Sequence, residues 1–192
     1  MRLTGMLLAK NLTLGDARRV SVKFISMSKI HVTGNAGAGK STLAREIGTA
    51  LGLPVFGLDK IVWQEGWVKT PPETRAAKER ALISRPEWVI EGVSQTVRDA
   101  ADTVFFLDVD RKTSLIRCAK RNWKFLFTSR PDLPKNCPEI LIIPDLIKII
   151  WGFKTHTRPK ILADMTEQSS GRFIITDTTD LKSAYRHLGI AE

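Results

Sequence analysis

The run Val32-Thr33-Gly34-Asn35-Ala36-Gly37-Ala38-Gly39-Lys40-Ser41-Thr42 leaves the chain few folds to choose from. Gly34, Gly39, Lys40 and Ser41 fill the pattern Gly-x-x-x-x-Gly-Lys-Ser, the phosphate-binding P-loop, in which glycines let backbone N–H groups turn inward around anionic oxygens. Such a loop needs a buried strand before it and a helix after it, with the helix N-terminus aimed at the anion. Both flanks are present. Lys29-Ile30-His31-Val32 reads as a short buried strand, and Leu43, Ala44, Ile47, Ala50 and Leu51 recur at a helical period. The expectation is nucleotide binding by Gly34, Asn35, Ala36, Gly37, Ala38, Gly39, Lys40, Ser41 and Thr42. Lys40 would reach the β- and γ-phosphates of ATP, and the Ser41 hydroxyl would ligate Mg2+.

The remaining pattern alternates strands with helices. Leu53-Pro54-Val55-Phe56-Gly57-Leu58 predicts a second strand ending at Asp59, and Pro71-Pro72 opens a helix over 73–84 with Arg75, Lys78, Glu79 and Arg80 as its wet face. Trp88-Val89-Ile90 predicts a third strand ending at Glu91-Gly92, and Thr103-Val104-Phe105-Phe106-Leu107 a fourth ending at Asp108. A helix is expected over 111–127, then a basic connection punctuated by Pro131, Pro134, Pro138 and Pro144, then helices to about Gln168. Arg172-Phe173-Ile174-Ile175-Thr176 makes a fifth strand before a last helix over 180–188. Continuously apolar strands separated by helices predict a three-layer α/β fold, a five-stranded parallel sheet covered on both faces. Ligands in such sheets bind beyond the carboxyl ends of the strands, where Asp59, Glu91 and Asp108 fall.

The chain's 192 residues suffice for one well-buried domain. Cys118 and Cys137 form no Cys-x-x-Cys pair and only three histidines accompany them, so no disulfide framework or zinc site is expected and a reducing cytoplasm is the default setting. The most apolar stretch, over 140–151, is interrupted by Pro144, Asp145 and Lys148, so neither a spanning segment nor a membrane partner is expected. The formal charge is +10, and between positions 111 and 160 twelve Lys and Arg face only Asp132, Glu139 and Asp145. Residues 1–28 stand apart as a basic, acid-poor extension, read as a loosely attached arm or as non-native sequence before a natural start at Met27.

Phosphoryl transfer needs positioning, cancellation of negative charge and a carboxylate for Mg2+ or for the attacking hydroxyl. Glu91 is the candidate for holding Mg2+ through water, and Asp59 the candidate for binding or deprotonating the acceptor. A carboxylate at a strand end also serves as a helix cap, so both readings stand for each. Asp108 is read as structural, capping the helix that begins near Arg111. Arg117 and Arg121, four apart, share a face and could clamp a transferring phosphoryl group; the alternative is solvated basic decoration. Trp63 and Trp67, also four apart, could stack on a flat ligand or bury a local segment against the sheet. Both cysteines are read as apolar fillers.

Taken in order, the P-loop, Leu58-Asp59-(x)3-Trp63-(x)2-Gly66-Trp67, Trp88-Val89-Ile90-Glu91-Gly92, Phe106-Leu107-Asp108 and Arg130-Pro131-Asp132 resemble the adenylate-kinase-like family often labelled DNA topology modulation protein. The resemblance runs from about Lys29 to the C-terminus. It implies the nucleoside- and nucleotide-kinase branch of P-loop NTPases, with a mobile, basic helical lid over about 128–160. By similarity Arg117 and Arg121 match arginines that precede the lid, Arg158 matches one returning from it to ATP, and Asp177-Thr178-Thr179 matches the segment packed on adenine. Departures concern the acceptor. Adenylate kinases carry Asp-Gly-Phe-Pro-Arg, whose arginine holds the AMP phosphate, whereas Glu91-Gly92-Val93-Ser94-Gln95 offers a neutral amide, leaving Arg98 or Arg75 as substitutes. Family members also often carry Asp-Gly-Asn-Tyr where Val93-Ser94 stand, and a His at the position of Gly57.

The expected function is therefore transfer of the ATP γ-phosphate to a small-molecule acceptor such as a nucleoside or nucleotide. The alternative is a nucleotide-gated DNA-binding regulator, for which the basic segment offers charge but no recognition motif. A bare ATPase would need a water-positioning residue that the sequence does not reveal.

Overall fold

The strand β1 (Lys29–Gly34) is buried from Ile30 onward, which requires strands on both of its edges and cover on both of its faces. The computed structural model describes residues 28–129, 133–167 and 171–190. The extension expected over residues 1–28 thus lies outside the described residues apart from Ser28, as do Arg130-Pro131-Asp132 and Gln168.

After β1 come α1 (Lys40–Leu51), β2 (Val55–Gly57), the single turn α2 (Asp59–Val62), and a two-residue hairpin of β3 (Trp63–Gln64) and β4 (Val68–Lys69). The helix α3 (Pro72–Ile83) leads to β5 (Trp88–Glu91), α4 (Gln95–Asp99), β6 (Thr103–Leu107) and α5 (Arg111–Asn122). The chain closes with α6 (Glu139–Gly152), a π-helical turn (Phe153–Thr157), α7 (Arg158–Glu167), β7 (Arg172–Ile175) and α8 (Thr178–Leu188). The main sheet is parallel with order β2-β5-β1-β6-β7, so the P-loop strand is central. Chain order reverses at β1, and the loops leaving β1 and β5 open side by side at the carboxyl edge, where open α/β sheets bind ligands.

Alternation within the apolar strands supplies two cores. Val32, Val89 and Phe105 point to the face covered by α1 and α8, where Leu43, Ile47, Ala184 and Leu188 meet them. Trp88, Ile90, Val104 and Phe106 point to the other face, against Val97, Phe153, Ile161 and Met165. Truncating a fully buried Phe105 or Phe106 to alanine is expected to cost about 3–5 kcal/mol. The three-layer α/β architecture with five parallel strands is as the sequence pattern predicts.

Three local expectations are corrected. Glu79 is not on a wet face: it is buried, because α3 turns it toward Ser94. Asp108 does not cap α5; Asp110 does, its carboxylate accepting from Thr113 N at 2.9 Å. The helix expected over 111–127 ends at Asn122 and continues as a 3-10 turn at Trp123–Phe125.

Candidate active site

Ser94, Asp110 and Asp177 each accept a backbone N–H at the start of α4, α5 and α8, whereas α1, α3 and α6 begin without a side-chain cap. The N-cap of α1 is Gly39, at φ 101°. Thr42 and Leu43 N–H both turn to Gly39 O, so the N–H groups of Gly39, Lys40 and Ser41 are the ones left for an anion. A Cβ at Gly39 would meet nothing within 4 Å, so the space over the helix start is open. The rest of the loop is held from behind. Gly34 closes β1 opposite Leu107, Ala38 N donates to Asn35 O, and Ala36 N donates to the Asn35 side chain. A Cβ at Gly37 would lie 2.4 Å from Ser114 O and 2.9 Å from Cys118 Sγ, so α5 packs directly on the loop.

Lys40 Nζ donates to Asn35 O at 2.9 Å, folding its ammonium back across the loop. Ser41 Oγ donates to Glu91 Oε1 at 3.0 Å, so two residues selected separately from sequence as Mg2+ ligands meet. A hydroxyl and a carboxylate at hydrogen-bond distance form the hard oxygen donor set that suits Mg2+, which keeps several of its waters. Among the described residues no cluster of three or more His, Cys, Asp or Glu forms a cage that would hold a metal by itself. Asn35 is buried, and its Nδ2 donates to Ile150 O at 3.2 Å, tying the loop to the end of α6.

The arginines fall into two groups. On α5, Arg117 is exposed one turn beyond Ser114, while Arg121 Nε donates to Asn122 Oδ1 at 3.1 Å and its Nη2 lies 3.9 Å from Cys118 Sγ. Arg121 thus lies beside the Cys118 that abuts Gly37, while Arg117, four positions earlier on the same face, is exposed. Arg158, at the start of α7, grips Asp108 with both Nε and Nη2, at 2.7–3.1 Å. The Asp108 carboxylate thus anchors α7 to the end of β6, and its hydrogen bond raises the Arg158 pKa further.

A cleft of about 950 Å³ opens among α3, α4 and the end of α6. Its walls come from Val62, Trp63 and Lys69, from Arg75 and Glu79 of α3, from Val93, Ser94, Gln95, Thr96 and Arg98, and from Ile149, His156 and Lys160. No residue of the loop lines the cleft; the two are linked through chain neighbours, Ser94 following Glu91 by three positions and Ile149 preceding the Ile150 whose carbonyl holds Asn35. Glu79 organises one wall: Arg75 Nε donates to its Oε1 at 2.8 Å and Ser94 Oγ to its Oε2 at 2.7 Å. Arg75 and Arg98, the two arginines expected as substitute acceptor ligands, both line the cleft, but they differ. Arg98 is buried and committed to Asp164 at 2.6 Å, to Ser94 O and to Gln95 Oε1. Arg75 keeps a partly exposed guanidinium facing the cleft. Lys160 and Lys69 add positive charge, Lys69 lying 5.8 Å from the Trp63 ring centroid.

Asp59 begins α2 with an exposed carboxylate and is not part of the cleft wall, although Val62 at the other end of α2 is. Trp63 and Trp67 make an edge-to-face pair with centroids 5.3 Å apart, and Trp67 Nε1 donates to Pro138 O at 2.8 Å. Trp67 thereby anchors the segment before α6, the packing alternative for this pair. Cys137 beneath it accepts from Trp67 N and donates to Gln64 O; both it and Cys118 are buried thiols, not joined in a disulfide. Sequence reasoning missed Glu79 and Ser94 as partners. The Ser-x-x-Val N-cap signal at Ser94 was readable, but its second bond to α3 was not.

No protein-family model matches the chain, and neither does any curated protein. Solved structures of similar shape include shikimate kinase from Acinetobacter baumannii in complex with shikimate, 18% identical, covering 88% of this chain and 97% of that one at a TM-score of 0.49. Another is a gluconokinase from Sinorhizobium meliloti 1021, 16% identical, covering 85% and 92% at 0.46. A third is shikimate kinase from Bacteroides thetaiotaomicron, 17% identical, covering 83% and 94% at 0.48. At these values the likenesses do not speak to this chain's substrate. Among the described residues no helix is long and apolar enough to cross a membrane.

Proposed function

We propose that the chain is an ATP-dependent kinase whose acceptor is a small molecule bearing an anionic group. The observation that carries this reading is the Ser41–Glu91 pair at a helix start without a side-chain cap, and a cleft with a basic wall that begins three positions beyond Glu91 supports it.

The backbone N–H groups of Gly39, Lys40 and Ser41 face the triphosphate, and Lys40 leaves Asn35 O to reach the transferring phosphoryl group. Ser41 and Glu91 hold Mg2+, which when bound neutralises charge on the β- and γ-phosphates. Arg117 and Arg121 supply charge from the α5 side, and Arg158 does so from α7 after exchanging Asp108 for phosphate. Arg75, oriented by Glu79, pairs with the anionic group of the acceptor and fixes its hydroxyl toward the loop. Asp59 serves the acceptor only if α2 moves inward, which fits a lid region over about 128–160 that closes and excludes water. The cleft lends the DNA-directed reading no support, since the basic groups that line it, Lys69, Arg75, Arg98 and Lys160, sit in a space of small-molecule size.

The test is ADP release from Mg·ATP by the purified protein, alone and with a mixed pool of nucleosides, nucleotides and small carboxylated or phosphorylated hydroxy compounds. Acceptor-stimulated release that disappears in Lys40→Ala is the expected result. Tight ATP binding with no stimulation by any component would overturn it.

A further inference from the structure

We propose that the outer surface of α5 and α6 docks the protein onto an anionic lipid bilayer. On α5 the exposed Ile116 and Lys120 are four apart and share a face, and the turn after the helix adds the exposed Trp123 and Phe127. Trp123 is 77% exposed and Phe127 79%. Ser114, Cys118 and Asn122 on the opposite side of the same helix are buried, so the exposed face points away from the body of the protein. The helix α6 repeats the arrangement: Ile142 and Ile150 are buried, whereas Leu141 is 66% and Trp151 58% exposed, with Ile140 and Ile147 in line with Trp151.

The two exposed faces belong to neighbouring, oppositely running helices. At one end the Arg111 guanidinium lies 5.1 Å from the Trp151 ring centroid, and at the other Ile140 N donates to Leu126 O at 3.1 Å. Isolated exposed apolar residues need no explanation, but a cluster of aromatic and aliphatic side chains on adjoining helices marks an interaction surface. Lys112, Lys120, Lys124 and Lys148 are interspersed with them and all are exposed. Asp145 beside them pairs with Lys148 at 3.4 Å.

Charge decides between occupants. A second copy bound through a two-fold axis would set this patch against itself, and its lysines against lysines. A nucleic-acid backbone would use the lysines but leave Ile116, Leu141 and Ile147 in water. An anionic bilayer satisfies both sets: indole and phenyl rings settle at the headgroup boundary, aliphatic groups sink below it, and lysines extend to the phosphates. The contact is peripheral, since no helix among the described residues is long and apolar enough to span.

The full chain is mixed with vesicles of phosphatidylcholine alone or of phosphatidylcholine with phosphatidylglycerol, and the pelleted fraction is measured. Partition onto the anionic vesicles is expected to exceed that onto neutral ones by about tenfold and to fall with added salt. Trp123→Ser with Phe127→Ser, and separately Lys120→Glu with Lys124→Glu, should each lower it by about tenfold while the circular dichroism and unfolding midpoint stay at wild-type values. Confining the changes to α5 and its turn separates this face from any other basic segment of the chain. Wild-type protein that stays in the supernatant with both vesicles overturns the proposal, as do variants that pellet like wild type. A dimer in light scattering that Trp123→Ser with Phe127→Ser dissolves would also overturn it, assigning the face to a second copy. So would single-stranded DNA binding that both pairs of substitutions abolish, without vesicle binding.

Discussion

Ser41 Oγ donates to Glu91 Oε1 across 3.0 Å, joining the first turn of α1 to the end of β5 across 50 positions of chain. Glu91→Gln preserves an acceptor for that hydroxyl and removes only the charge. Turnover with Mg·ATP should fall by about 10–100-fold. The fall should be partly recovered at high Mg2+, with an unfolding midpoint near wild type. Titrating turnover with Mg2+ checks this, and an unchanged Mg2+ dependence would remove Glu91 from the metal role.

The P-loop glycines should separate into two kinds. Gly37→Ala drives a Cβ to 2.4 Å from Ser114 O, a backbone atom that cannot step aside, so about 1–3 kcal/mol of stability should be lost with the nucleotide site. Gly39→Ala meets nothing within 4 Å but must hold φ at 101°, so about 1–2 kcal/mol of backbone strain is expected. Thermal denaturation with and without ATP distinguishes them: Gly37→Ala should lower the ligand-free midpoint more.

Arg75→Ala should raise the acceptor KM by about tenfold or more while leaving the ATP KM in place, because the guanidinium faces the cleft and not the phosphate loop. Glu79→Gln should produce a smaller shift in the same parameter through loss of orientation. Equal changes in both KM values would show that α3 had moved as a whole.

His31 is fully buried in β1, and burial holds its pKa at about 3, against an ordinary 6.5. Gly92 O can only accept, so His31 Nε2 carries the proton in their 3.1 Å bond, and the ring stays neutral. The unfolded chain therefore binds a proton that the folded chain refuses between these two values. Stability should fall as pH drops below about 6.5, at a slope approaching about 1.4 kcal/mol per pH unit, and the loss should be complete near pH 3. Denaturant unfolding of wild type and His31→Gln across pH 7 to about pH 4.5 checks this, since the variant should show a weaker dependence.

How much of this was readable in advance depends on range. The spacing Gly34-x-x-x-x-Gly39-Lys40-Ser41, apolar runs such as Val104-Phe105-Phe106-Leu107 and the helical period after Ser41 each depend on residues within a few positions of one another. They were enough for the five-stranded parallel sheet and its covering helices. Short elements escaped, because α2, α4 and the hairpin of β3 and β4 are too brief to show a period. Assigning Asp110 in place of Asp108 as the cap required the actual start of α5, since both residues are competent caps.

What tertiary structure decided is which side chains spend their charge on one another. The pairs Arg158–Asp108 and Arg98–Asp164 join residues 50 and 66 positions apart. Glu79 is buried only because Ser94 lies opposite it, and Trp67 is an anchor only because Pro138 returns to it. The exposed face that carries Ile116 follows from Ser114 and Cys118 taking the P-loop side of α5. Periodicity along the chain reports which faces are apolar, whereas the partner each polar group meets depends on strand order, and that order is set by the packing of the whole sheet.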